Sequence, residues 1–321
     1  MSRVQLVNSL ATRIGDYRAG DIAPIDAAHV DRWVSQFTQD EQLRVLAELD
    51  HILSKSYVRR SDFEAFALDA VTNADLVGDD SCAFWAAARF FNQQLRGQSQ
   101  GIMLDLFDAA LKQECGLSAY SDTDGEGRLV YVDDAVYTGM HVINDLTPII
   151  AAAPKHTDLF MFVYALHNQG AQYATQQLTS RFRAAGKTVN FKWWCQLDLE
   201  NSLASTSDVL WPSSVPEHQE TKDYAASLSH RLILRPGDGV GKNNFFSSGA
   251  RRHLIEQEFL MAGSVIRSQS QHLKQYARPL GNRIMESFGF GALVVTFRNC
   301  ANNCPLVFWA GNHPLFERDN N

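Results

Sequence analysis

Leu129-Val130-Tyr131-Val132-Asp133-Asp134-Ala135-Val136-Tyr137-Thr138-Gly139-Met140-His141 is the stretch from which the rest of the chain can be read. A short apolar run, Arg128–Val132, that ends in two adjacent acids predicts a buried strand carrying a pair of carboxylates to its C-terminal end. A loop with Thr138 and Gly139 follows. Met140–Ala153 is then built of helix formers and stops at Pro154, so a helix is expected there. Each part of the turn has a physical task. Free backbone N–H groups at a loop and helix start favour an anion. Gly139 lets the backbone approach closely, and Thr138 can donate a hydroxyl. Aspartates can accept from a sugar diol in charge-assisted hydrogen bonds, worth roughly 1.5–3 kcal/mol each.

Downstream the pattern repeats. Leu159–His167 is a second apolar strand, Gly170–Ala185 a helix closed by Gly186, and Val189–Leu197 a third strand. Strand, helix, strand, helix, strand implies an α/β fold: a parallel sheet with helices on its faces, whose ligands bind beyond the carboxyl ends of the strands. Residues 79–235 are assigned to this core.

Upstream, Gly97-Gln98-Ser99-Gln100-Gly101 precedes a helix whose apolar face includes Ile102, Met103, Leu106, Phe107, Ala110 and Leu111. Three readings stay open. It is a pyrophosphate-binding loop at a helix start, lying beside the Asp133 turn. It is a Gly-x-Ser-x-Gly nucleophile elbow, with Ser99 served by Asp198 and by His253 or His313. Or it is a plain turn. Against the elbow, the chain before it reads as helical, and no glycine-rich oxyanion loop precedes it.

Residues 1–78 read as a helical region. Val30, Trp33, Val34 and Phe37 recur at helical spacing, and Leu43, Leu46, Leu49 and Leu53 do so again. Thr38-Gln-Asp-Glu41 and Ser61-Asp-Phe-Glu64 both match a capping box, in which hydroxyl and carboxylate each satisfy a backbone N–H. Residues 236–321 form a small mixed C-terminal region, with a helix through Ile255, Phe259, Ala262 and Ile266, a strand at Ala292–Phe297, and Phe308, Trp309 and Phe316 expected to pack onto the sheet. Gly237-Asp-Gly-Val-Gly241-Lys242 is not a P-loop: Pro236 stands at the first glycine position and Asn243 at the hydroxyl position. It reads as a flexible loop with Lys242 as a mobile cation.

Composition narrows the function. The 321 residues are 45% hydrophobic and 20% charged, an ordinary globular balance, and the net charge of −7 argues against a strongly basic nucleic-acid binder. The pairs Arg251-Arg252 and Arg278/Arg283 read as surface, and Arg278, Arg283, Arg298 and Arg318 are the candidates near the tail for a phosphate or partner contact. The start lacks a secretory pattern, and Leu159–Leu166 is too short to span a bilayer, so the protein is expected to be soluble, cytoplasmic and without a membrane partner. Cys82, Cys115, Cys195, Cys300 and Cys304, odd in number and widely spaced, are expected to be reduced thiols. Cys300, Cys304 and His313 lack a convincing fourth metal ligand.

The 129–141 segment resembles the phosphoribosyl-pyrophosphate motif of the type I phosphoribosyltransferases, and the match covers about thirteen residues. The resemblance implies that Asp133 and Asp134 hold the ribose 2′- and 3′-hydroxyls, and that Ala135, Val136, Tyr137, Thr138, Gly139, Met140 and His141 cradle the 5′-phosphate. Gly97, Gln98, Ser99 and Gln100 would hold pyrophosphate. Mg2+ is expected to come with the substrate, on its pyrophosphate, without a dedicated set of protein ligands; Asp133 is the acid placed to face it. His141 departs from the usual hydroxyl residue, and Tyr137 from a small one. Further segments resemble phosphoribosyltransferase-like proteins of bacterial conflict and anti-phage loci, including retron systems: Glu258-Phe-Leu-Met-Ala-Gly263, Arg278-Pro-Leu-Gly281, Ser287-Phe-Gly-Phe-Gly291, and the tail from Asn302 to Arg318. That implies a defence effector acting at C1′ of phosphoribosyl pyrophosphate or a nucleotide, with a protein or nucleic-acid partner in a defence complex. A non-catalytic sensor of ribose phosphate is the alternative, and a Ser99 hydrolase the lesser one.

Overall fold

The computed structural model describes residues 1–92, 99–121, 127–228, 232–270 and 272–318. Contacts divide the chain into two units. One joins Met1–Arg59 to the chain from Glu200 to residue 318; the other is Arg60–Leu199. This grouping differs from the three consecutive segments expected. The N-terminal helices bury their apolar stripes against residues far along the chain, a pairing that local periodicity does not encode.

The first unit opens with α1 (Arg3–Arg13), α2 (Ala27–Val34), α3 (Gln42–Ser56) and the two-residue strand β1 (Tyr57–Val58). Ser2 and Gln5 form a true capping box on α1. Neither capping box expected from sequence forms. Thr38 begins a 3-10 turn without a side-chain cap, and its N–H donates to Glu258 at 2.9 Å. Ser61 already lies within a helix, and Glu64 pairs with Arg60 instead.

The second unit starts with α4 (Arg60–Thr72), α5 (Ala74–Val77), α6 (Ser81–Ala86), β2 (Arg89–Phe90) and α7 (Ser99–Cys115). Then come β3 (Arg128–Val136), α8 (Met140–Leu146), β4 (His156–His167), α9 (Asn168–Ala184) and β5 (Thr188–Leu199). The long helix expected over Met140–Ala153 breaks after Leu146. Pro148 cannot donate a backbone hydrogen bond, and the chain resumes as a 3-10 turn at Pro148–Ala151. The four strands run parallel in the order β2-β3-β4-β5, with Val130 opposite Phe160 and Phe162 opposite Trp194. Strand alternation sorts the side chains. Leu129, Tyr131, Met161 and Val163 face α8 and α9, packing with Ile143, Leu146, Ala174 and Phe182. On the other face, Phe160 and Phe162 meet Phe84, Trp85 and Phe107 edge to face or tilted. The result is the expected α/β architecture, a parallel sheet between helical layers.

The chain then returns to the first unit through α10 (Gln219–Ser227), α11 (Gly249–Gln269), β6 (Ala277–Arg278), β7 (Gly281–Asn282), β8 (Val295–Thr296) and α12 (Leu306–Trp309). The strand expected at Ala292–Phe297 shrinks to β8, which pairs with β1. The tail aromatics pack as expected, but their partners are α2, α11 and the start of the chain: Phe308 meets Phe259 and Trp33, and Phe316 stacks on Tyr57.

Three surface readings are corrected. Arg252 is wholly buried and bonded to Glu256, and Arg278 is buried against the carbonyls of Met285 and Ser287. The loop around Lys242 is tied down, with Asn243 donating twice to the Asp208 carboxylate and the Lys242 N–H to Thr206. Cys82 and Cys115 are bonded as a disulfide between α6 and α7, so not every cysteine is a free thiol; their Cα atoms, 5.3 Å apart, satisfy the geometry that sequence spacing could not reveal.

Candidate functional site

β3 places Tyr131 and Asp133 on the same face because side chains repeat every second residue. Both are buried, Asp133 at 4% exposure. Asp133 Oδ1 accepts the N–H of Asp134 at 2.9 Å, and the Tyr131 hydroxyl lies 3.0 Å from Oδ2. The Ser99 hydroxyl also donates to this carboxylate. The same Tyr131 oxygen is 3.1 Å from Asp145 Oδ2, on the buried side of α8. Asp134 is half-buried, and its Oδ1 accepts the N–H of Ala135 at 2.8 Å.

Burial pushes the Asp133 carboxyl well above its ordinary value, and the adjacent Asp134 charge adds to the rise; hydrogen bonds from the Asp134 N–H, Ser99 and Tyr131 pull the other way. Asp145 is also raised by burial, opposed by the Tyr131 hydrogen bond and by His141 one turn away. The Tyr131 phenol, buried between two acids, is raised as well.

The turn after β3 is held by close backbone packing. Gly139 has φ +76°, and a Cβ there would collide with the carbonyl oxygen of Gly170; a Cβ at Gly170 would collide with the carbonyl of Tyr137. The turn is thus pressed against the first residues of α9, at the carboxyl edge of the sheet. The Met140 N–H reaches the Thr138 hydroxyl at 3.5 Å. The Tyr137 ring stacks on His167 with centroids 5.0 Å apart. His167 is buried, and its Nδ1 lies 2.9 Å from the Val136 carbonyl. A carbonyl can only accept, so Nδ1 carries the hydrogen. Burial pulls the imidazole down to about 4.

The structure brings together Asp133, Asp134 and Ser99, and strings Ala135, Val136, Tyr137, Thr138, Gly139, Met140 and His141 along the turn. Val136 points into the core, and Met140 and His141 are exposed. Gly97 and Gln98 lie outside the described residues. Ser99 and Gln100 are not loop residues as expected. They form the first turn of α7, with Gln100 fully buried. Asp133 also differs from expectation, because its carboxyl is turned inward to Tyr131 instead of being presented at the edge. Ser99 delivers its hydroxyl to a carboxylate, whereas an elbow serine is delivered to an imidazole. Among the described residues no group of three or more His, Cys, Asp or Glu could hold a metal. Sequence reading missed Tyr131, Asp145 and His167. A hydroxyl two residues before an acid on a strand, and an acid one turn after His141 on a helix, were the available signals.

A family model described as PRTase-CE matches residues 30–318. No curated protein and no solved structure matches the chain. Among the described residues no helix is long and apolar enough to cross a membrane.

Proposed function

Since the chain belongs to the PRTase-CE family and is phosphoribosyltransferase-like, we propose that it binds a ribose phosphate, either phosphoribosyl pyrophosphate or a nucleotide, at the carboxyl edge of β3 and acts at its C1′. Asp134, the more open of the two acids, takes the ribose diol, and Asp133 braces it from behind. Backbone groups of Ala135–His141 take the 5′-phosphate. The start of α7 at Ser99 faces the pyrophosphate. Mg2+ arrives with the substrate, and when bound it offsets pyrophosphate charge.

The observation that carries this reading is the Ser99–Asp133 hydrogen bond. It joins the two segments that a sugar pyrophosphate must bridge, which follow neighbouring parallel strands. The transition state at C1′ is cation-like, so the protein's tasks are to fix the sugar and to place negative charge beside it. The resemblance of Glu258–Gly263, Arg278–Gly281 and Ser287–Gly291 to defence-locus proteins supports reading this activity as that of an anti-phage effector. Calorimetry with phosphoribosyl pyrophosphate and Mg2+, paired with a pyrophosphate-release assay, tests the reading. Wild type should bind and turn over, and Asp134→Asn should lose at least tenfold in affinity. A wild type that binds neither phosphoribosyl pyrophosphate nor any nucleotide overturns it.

A second reading is a sensor that binds the same ligand without turnover. The inward Asp133, withdrawn from the edge, favours it. Saturable binding with no release of pyrophosphate or free base over hours would select the sensor. Loss of phage protection in an Asp133→Ala/Asp134→Ala variant is expected under both readings.

A further inference from the structure

Tyr131 has one hydroxyl hydrogen and two carboxyl oxygens within reach, Asp133 Oδ2 at 3.0 Å and Asp145 Oδ2 at 3.1 Å. One hydrogen can fill one of these contacts. The other would set a lone pair against a buried anion, which a buried site does not tolerate without cost. A second hydrogen on one of the two carboxyls completes both contacts. We propose that Tyr131 and Asp145 form a proton relay with Asp133, in which the ligand-free protein holds Asp133 as a neutral acid donating to Tyr131, while Tyr131 donates to ionised Asp145.

The choice of Asp133 as the protonated member follows from its company. It is the more deeply enclosed of the two, and the charge of Asp134 lies beside it. Asp145 instead has His141 one turn away on α8, on the exposed side of the helix. The titratable groups facing the relay are Asp134 and Tyr131 from β3, and His141 and Asp145 from α8; Ser99 contributes a hydroxyl from α7.

The relay has a consequence for the ribose-phosphate site, and this part rests on the function proposed above. A ribose diol donating to Asp134 draws off the negative charge beside Asp133 and so favours the ionised form of Asp133 behind it. The Asp133 O–H bond then breaks, and its hydrogen passes to the Tyr131 oxygen. The Tyr131 hydrogen passes to Asp145 Oδ2, leaving Asp145 neutral and Tyr131 unchanged. His141 or solvent takes the proton from Asp145. Ligand binding thereby releases a proton on the α8 side of the strand, away from the sugar. Asp145 and Tyr131 are positioning residues, since neither touches the ligand.

The relay can be tested without ligand. Infrared spectra of the whole chain at neutral pH should show the C=O stretch of a protonated carboxyl. That band should vanish in Asp133→Asn, and should persist but shift in Tyr131→Phe and in Asp145→Asn, which preserve side-chain shape. A wild type without the band, or a band that survives in Asp133→Asn, overturns the assignment. Calorimetry with phosphoribosyl pyrophosphate and Mg2+ in buffers of different ionisation heat then separates the two ideas. Binding with about one proton released in wild type, and less in Asp145→Asn, is expected. Binding with no buffer dependence sinks the relay alone. Absence of binding counts against the ribose-phosphate reading and leaves the infrared result to decide the relay.

Discussion

Glu256 and Asp133 are both buried carboxyls, one in each unit, and they keep different company. Glu256 on α11 lies between two guanidinium groups, Arg252 at 2.9 Å and Arg235 at 3.0 Å, all with fully buried side chains. Arg252 spends its remaining donors on the carbonyls of Ser205 and Val209 and covers the Phe246 ring at 4.5 Å. Asp133 has a phenol, a serine hydroxyl, a backbone N–H and another acid. The first cluster is neutralised and saturated, as a structural network must be. The second pairs a buried carboxyl with hydroxyls and a neighbouring acid, and the shifted titration that results is typical of sites that handle protons or ligands.

The contrast sets different outcomes for substitution in the two clusters. Arg252→Ala takes one of two guanidinium groups from a buried carboxylate and leaves the Ser205 and Val209 carbonyls without their donor, and should cost about 3–5 kcal/mol in urea unfolding. Asp133→Asn replaces a carboxyl that the ligand-free fold holds neutral with an amide of the same shape, so the melting temperature at neutral pH should hold or rise. Equal losses at the two positions would remove the distinction between the clusters.

The disulfide belongs to the sheet unit and ties α6 to the far end of α7, the helix that starts at Ser99. Its cysteines are 33 residues apart, so the closed loop should contribute about 2–4 kcal/mol through the unfolded chain. Cys82→Ser should lower the melting temperature of the sheet unit, and a reductant should lower that of wild type but not of the variant. An identical response of both proteins to reductant would mean the bond does not form.

How much of this was legible depends on what encodes each feature. β3, β4 and β5 announce themselves as apolar runs, and Gly186 marks the end of α9, because burial on both faces and a left-handed C-terminal residue leave local signatures. The Asp133-Asp134 turn was readable for the same reason. Tertiary capture left no such trace. Glu258 takes the Thr38 N–H from 220 residues away and so displaces the capping box. Arg252 and Arg278 looked like surface because charge alone says nothing about burial; the Arg252/Glu256 spacing of four was the one hint of a pair. The inward turn of Asp133 depends on Tyr131 and Asp145 meeting across a strand and a helix. Sequence gives their faces but not their rotamers.

Titration offers a subtler separation inside the sheet unit. His167 falls from 6.5 to about 4, so the unfolded chain binds more protons than the folded one between those values. Stability from this residue is fully present above about 6.5 and is lost as the pH falls towards 4, by at most about 3 kcal/mol. Asp133 and Asp145 act with the opposite sign. Their raised values mean the folded state binds more protons, so their contribution is present below the ordinary carboxylate range and is lost as the pH rises through the raised values. A His167→Gln variant should flatten the acid limb of the stability profile, and an Asp145→Asn variant the limb above it. If both variants flattened the same limb, one of the two directions would be wrong.

The smallest expected effect is a difference between two glycines of the same unit. Gly139 and Gly186 have φ +76° and +72°, and any L side chain at either position is strained by roughly 1–2 kcal/mol. At Gly186 nothing lies within 4 Å of an added Cβ, so Gly186→Ala should cost that strain alone. At Gly139 the same methyl meets the Gly170 carbonyl and the Ala174 methyl. The turn must then lift from α9, adding about 1 kcal/mol or more of lost packing. Lifting also draws Tyr137 off the His167 ring and moves the Ala135–His141 backbone away from the acids. Gly139→Ala should therefore lose ligand affinity as well as stability, while Gly186→Ala binds as wild type does. Matching affinities in the two variants would show that the backbone of this turn takes no part in holding a phosphate.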